Sequence, residues 1–97
     1  MLSGEVFLDG PGETRTKVVC DQAMAIKFLG VVNAGVASGD RKDQGLAGLT
    51  LLYSDGRVNK VAVTNTGLVR IGARVVQVNK EHMMAILRQM QRECARP

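Results

Sequence analysis

The chain has 97 residues, of which 45% are hydrophobic and 23% are charged. This length predicts one domain, residues 1–97, and the composition of an ordinary globular protein excludes a wholly disordered chain. No apolar run reaches the roughly 18 residues of a membrane-spanning helix, so no membrane span is expected. The first residues, MLSGEVFLDGPGE, lack the basic start and apolar stretch of a signal peptide. We therefore expect a cytoplasmic chain, or an extracytoplasmic domain whose export signal lies outside this sequence.

The net charge of +4 is unevenly distributed along the chain. Residues 1–56 carry five basic and seven acidic side chains, whereas residues 57–97 carry eight basic and two acidic side chains. This asymmetry is the main electrostatic signal in the chain, and a charged, solvated face is its usual explanation.

The first half of the chain predicts a hairpin followed by a helix. The segments GEVFLDG and TRTKVVC read as strands on either side of a turn at Pro11 and Gly12. Asp21 is placed to cap a helix that runs from about residue 22 to about residue 34. This helix is apolar nearly all round, which favours burial on more than one side and, in so small a protein, a second contact such as a homodimer. The glycines that follow predict its end, and SGDRKDQG is predicted to be a solvated, mobile loop.

The second half predicts a meander of strands and a final helix. LAGLTLLYS has a continuous apolar run, which predicts a central strand covered on both faces. Asp55-Gly56 is a strong hairpin signal, and VNKVAVT, LVRIG and RVVQV follow, separated by turns at NTG and at Gly72-Ala73. Asn79 caps a helix from Lys80 to about Ala95, with apolar residues on one stripe. The order ββαβββα, with RVVQV as a further strand, predicts an α+β fold in which two helices pack on an antiparallel sheet.

Residues with catalytic or metal-binding chemistry are few. His82 is the one histidine, and it lies near the start of the last helix, where a surface role is usual. Neither GxSxG nor HExxH occurs, so we predict no catalytic residue, no cofactor and no metal site. Asp40 and Asp43 flank RK in the polar loop without calcium-loop spacing, so they are expected to bind a cation at most weakly.

Cys20 and Cys94 lack the CxxC spacing of a zinc site or a redox motif. The favoured interpretation is that both are small apolar core residues. The alternative is a disulfide, which requires Cα atoms within about 7 Å.

The candidate binding residues are basic and come from the turns, the outward strand positions and the last helix. They are Arg57, Lys60, Arg70, Arg74, Arg88 and Arg92. If they share one side of the fold, with Arg96 extending the helix face, they suit phosphates or an acidic partner. Only Tyr53 lies in the meander to stack on bases, which disfavours recognition of single-stranded RNA by the sheet.

The pattern LTLLYSDGRVNKVAVTNTGLVRIGARVVQVNKEHMMAILRQM resembles small uncharacterised domains of Gram-positive bacterial envelope proteins and lipoproteins. The preceding VVCDQAMAIKFLGVVNAG resembles the Asp-capped helix before their sheet. The resemblance implies a bacterial origin and this order of elements, but no known activity. The chain departs from the family pattern in having no lipobox and no aromatic residue at Val75 or Val76.

These observations predict a non-enzymatic domain with a protein-interaction or structural role. We expect a protein partner or self-association, with a homodimer formed through the first helix or a sheet edge. The alternative is binding of nucleic acid or another anionic partner through residues 57–97, which is not favoured. An enzyme is the third hypothesis.

Overall fold

The computed structural model describes residues 1–8 and 15–94, which form seven strands and two helices. The strands are β1 (Leu2–Val6), β2 (Thr16–Cys20), β3 (Val36–Ala37), β4 (Gly45–Leu52), β5 (Val58–Thr64), β6 (Leu68–Ile71) and β7 (Arg74–Gln77). The helices are α1 (Gln22–Asn33) and α2 (Lys80–Glu93). The predicted α+β fold is confirmed, with one antiparallel sheet in the order β2-β1-β4-β5-β6-β7-β3.

Strand alternation gives the sheet a helix-facing side and an open side. Register places Leu2 opposite both Cys20 and Leu51, so these side chains share the side on which the helices pack. The strand residues buried on that side are Leu2, Val6, Val18, Cys20, Ala47, Leu49, Leu51, Val61, Val63, Val69, Ile71 and Val76. On the open side Gly48 and Leu52 are exposed. The prediction that β4 is central is therefore confirmed, whereas the prediction that both of its faces are covered is wrong.

Both helices begin at the predicted caps. The Asp21 carboxylate accepts a hydrogen bond from the Met24 backbone N–H (3.0 Å), and the Asn79 side-chain oxygen accepts one from the His82 backbone N–H (3.0 Å). Each bond satisfies a donor that the first helical turn leaves free. The inner side of α1 buries Met24, Ala25, Phe28 and Val32, and that of α2 buries Met83, Ile86, Leu87 and Met90.

Cys20 and Cys94 form a disulfide with a Cα–Cα distance of 4.9 Å. The favoured prediction of two unlinked core cysteines is therefore wrong, and the alternative holds. The bond joins the edge strand β2 to the C-cap of α2, and Cys20 itself is buried. Spacing along the chain could not show this, because 74 positions separate the two residues and only the fold brings them together.

One strand and several turns remain to be compared with the sequence predictions. The strand β3 was not predicted, and it adds a two-residue edge beside β7. The β1–β2 pairing is confirmed, while its predicted turn at Pro11 and Gly12 lies outside the described residues, as do Ala95 and Arg96. Gly56 and Gly67 adopt positive φ angles of 89° and 82° in the turns that the sequence places there.

Candidate functional site

Two of the predicted basic residues lie on the open side of the sheet. Ala62 pairs in register with Arg70, and Lys60 lies two residues before Ala62, so Lys60 and Arg70 point to the same side. Arg70 is already engaged, because its Nε donates to Asp40 Oδ1 (2.6 Å) and its Nη2 donates to the Arg41 carbonyl.

Arg88 and Arg92 lie on the opposite side of the molecule. Both are exposed on α2, and the Cys20–Cys94 bond holds α2 on the helix-facing side of the sheet. They are four residues apart and therefore neighbours on one helical face. Among the described residues neither has an acidic side chain within ion-pair distance.

Arg57 and Arg74 follow two separate turns. Arg57 pairs with Asp55 across the β4–β5 turn (Nε–Oδ2 2.7 Å) and lies over the Tyr53 ring, 5.1 Å from its centroid. Arg74 follows the β6–β7 turn and lines a shallow cavity with Asn33 at the end of α1. The fold thus brings together Lys60 with Arg70, and Arg88 with Arg92, but not all six residues on one surface. Their assignment as a binding face stays a prediction.

The loop between β3 and β4 bonds to the sheet through contacts that its polar sequence did not indicate. Arg41 Nη2 donates to Gln77 Oε1 (2.9 Å), and the Thr66 hydroxyl donates to Asp43 Oδ2 (2.7 Å). Asp43 also accepts from Arg41 Nε (3.3 Å). The acidic residues considered for weak cation binding are thus occupied by Arg70, Arg41 and Thr66, and the described part of the chain contains no cluster of three metal-ligating side chains.

The lowered pKa of Asp43 is expected to make the stability of the fold depend on pH in the acid range. The hydrogen bond from Thr66, followed by the bond and charge of Arg41, holds the pKa of this carboxyl below its ordinary value of 3.8. Because the folded-state pKa is lowered, the carboxylate stabilises the fold above that ordinary value, and this contribution is lost as the pH falls toward the lowered pKa. We expect the stability difference between wild type and Asp43→Asn to shrink as the pH drops below about 4. Urea unfolding of both proteins at a series of pH values around 4 measures this difference. A stability difference that does not change with pH would count against the contacts of Asp43 with Thr66 and Arg41.

Exposed apolar side chains gather at one end of the sheet. Five large apolar residues among those described are exposed, and four of them lie at this end. Met1 and Leu52 exchange two backbone hydrogen bonds (3.0 and 2.9 Å), and Leu52 pairs in register with Val58, so the three form a row across β1, β4 and β5. Ile26 of α1 lies beside this row. We call Met1, Ile26, Leu52 and Val58 the apolar end; their exposed fractions are 51%, 60%, 45% and 53%.

A groove of about 440 Å³ runs between α1 and the strand ends at the apolar end. Its walls are mostly apolar and include Ala25, Leu29 and Leu51 besides Met1, Ile26 and Leu52. Tyr53 closes one end, where its hydroxyl accepts a hydrogen bond from Asn59 Nδ2 (3.1 Å). The sequence signal for this site was the unusually apolar helix at 22–34; the strand residues gave none, because each is a single apolar residue in a separate element.

His82 and the disulfide lie in different parts of the surface of α2. His82 is exposed in the first turn of α2. A second cavity, of about 510 Å³, lies beside the disulfide and is lined by Asp21, Lys27, Glu93 and Cys94. Neither cysteine offers a thiol nucleophile while the bond is intact.

Two wider observations bear on identity. None of the helices in the described part of the chain has the length and apolar character needed to cross a membrane. Comparison of the chain with models of known protein families, with curated proteins and with solved structures finds no match.

Proposed function

We propose that this chain is a non-enzymatic interaction module that binds another protein chain through its apolar end. The observation that carries this proposal is that Met1, Ile26 and Leu52 line one groove, with Val58 next to Leu52 in the paired strand β5. Single exposed apolar residues are ordinary on a protein surface, but a contiguous apolar patch is typical of an interaction site. Each of these side chains is about half exposed, and covering the exposed part is worth roughly 1 kcal/mol apiece.

The outward surface of α1 supports the same proposal. Its exposed residues are Gln22, Ala23, Ile26, Lys27, Gly30 and Asn33, of which Lys27 alone is charged. A helix that faces water normally carries several charged residues on its outer side. Few charges would therefore have to be desolvated when a partner covers α1, which keeps the unfavourable part of binding small.

Site-specific photocrosslinking tests the proposal. A photoreactive amino acid is placed at Ile26 and, as a matched control, at Ala85, which is exposed on α2 away from the apolar end. In the cells that make this protein, we expect defined protein adducts from position 26 and few from position 85. Equal yields from the two positions, or none from position 26, would refute the apolar end as the binding surface.

A second candidate, anion binding, has one observation in its favour: Arg88 and Arg92 are exposed and unpaired within the described residues. Two phosphate contacts give a slope of about −2 in a plot of log affinity against log salt, whereas six contacts would give about −5. If this candidate is correct, oligonucleotide binding should show the smaller slope. It should also disappear in the double variant Arg88→Ser, Arg92→Ser and persist in Lys60→Ser. An absence of binding at low salt would eliminate it.

A further inference from the structure

We infer that the partner at the apolar end is a second copy of this chain, bound about a two-fold axis with the α1 helices antiparallel. This inference rests on the proposed function and deepens it by naming the partner. A two-fold dimer uses the same surface on both copies, so that surface must be complementary to itself. Three properties of α1 and its surroundings meet this requirement.

The first property is shape. Ile26 projects from α1 with 60% of its surface exposed, and the apolar groove opens directly beside it, between α1 and the strand ends. A projecting side chain and a groove therefore lie next to each other on one surface. A two-fold rotation that sets the exposed outer faces of the two α1 helices together, antiparallel, brings the grooves of both copies to the same edge of the interface. Ile26 of each copy then lies against its partner beside the groove.

The second property is charge. Lys27 and Asp21 are exposed along the opposite edge of this outer face, where both line the cavity beside the disulfide. Antiparallel helices that cross near residue 24 bring Lys27 of each copy opposite Asp21 of the other. The α1 residues that line the groove include Gln22, Ala25 and Leu29, so the middle of the groove also lies close to residue 24 along the helix. One crossing point thus satisfies both the apolar contact and two reciprocal ion pairs.

The third property is area. A stable interface needs about 800 Å² from each partner, more than four half-exposed side chains supply. The interface must therefore extend along α1, where Ala23 and Gly30 are exposed and small, and a Cβ added at Gly30 would meet no atom within 4 Å. Such residues let two helix backbones approach closely. An unrelated partner could also cover this surface, but it would not need the matched Lys27 and Asp21.

Sedimentation equilibrium of the purified, oxidised chain tests the inference. We expect the mass to rise from 10.4 kDa toward twice that value between micromolar and millimolar concentrations. Ile26→Glu should weaken the dimer at least about tenfold, because it brings an unpaired carboxylate into an apolar contact. Ala85→Glu adds the same charge to the exposed face of α2 and should leave association unchanged.

A second variant tests the same interface independently, so that the inference remains testable if Ile26→Glu does not fold. Lys27→Glu should also weaken association, since it sets a carboxylate at position 27 against Asp21 of the other copy, whereas Lys27→Arg should retain it. Circular dichroism of each variant checks that the fold is intact. A monomer at every concentration, or a dimer unaffected by both variants, would overturn the inference. The proposed function would still stand if position 26 crosslinks to a different protein, and it would fall with the inference if position 26 crosslinks to nothing.

Discussion

Cys94→Ser is expected to lower the free energy of unfolding by about 4 kcal/mol, within the range of roughly 2–5 kcal/mol seen for native disulfides. The Cys20–Cys94 bond joins residues 74 positions apart, so its loss gives the unfolded chain much more conformational freedom. The bond also fastens β2, the edge strand that pairs with β1, to the end of α2. A domain of this size has roughly 5–15 kcal/mol in total, so the loss is a large fraction of its stability.

Urea unfolding under oxidising and reducing conditions measures this effect. A reductant should lower the unfolding midpoint of the wild-type chain by about the same amount as the substitution. It should have no further effect on Cys94→Ser, in which Cys20 has no partner. Equal midpoints for wild type and Cys94→Ser in oxidising buffer would show that the bond does not hold the fold together.

Phe28→Ala is expected to lower the free energy of unfolding by about 3–5 kcal/mol. Phe28 is fully buried and is the largest such side chain in the described chain. It lies on the inner side of α1 with Val32, so its removal leaves a cavity between the helix and the sheet. The loss includes both the transfer free energy of the ring and the unfilled space.

Ile26→Ala is the matched control, because it lies on the same helix two residues earlier. Ile26 is 60% exposed, and the change should alter the stability of the monomer by no more than about 0.5 kcal/mol. Thermal or urea unfolding of dilute protein checks both variants. A large loss for Ile26→Ala would mean that Ile26 holds the fold together and is not a free contact residue.

The fold class could be predicted because the decisive signals are local. The caps Asp21 and Asn79, the Asp55-Gly56 turn and the apolar stripe of α2 each lie within a few residues of the structure they specify. The strand order could not be predicted from the sequence, since the pairing of β1 with β4 and of β3 with β7 joins distant segments. The two residues of β3 are both exposed, so they carry no apolar alternation that could have revealed a strand.

The candidate site was predictable only in part, and for a similar reason. The apolar character of α1 predicted burial on more than one side, whereas the single chain buries only its inner side and leaves Ile26 exposed on the outer side. Met1, Leu52 and Val58 join it only through tertiary structure. For the basic residues the fold separates what the sequence groups together. Lys60 and Arg88 belong to the same charge excess in the sequence but lie on opposite sides of the sheet. The resemblance to bacterial envelope domains stays a prediction.

The most direct test of the account is to record the amide NMR spectrum of the oxidised chain at increasing concentration. If two copies associate through the apolar end, the shifts that change should cluster in residues 22–34 and 51–58 and around Met1, and Ile26→Glu should abolish these changes. The part of the open side that lies away from the apolar end, around Gly48 and Arg70, and the outer face of α2 around Ala85, should remain unaffected. A spectrum that does not change with concentration, or changes that centre on β2, on Gly48 and Arg70 or on α2, would contradict the account.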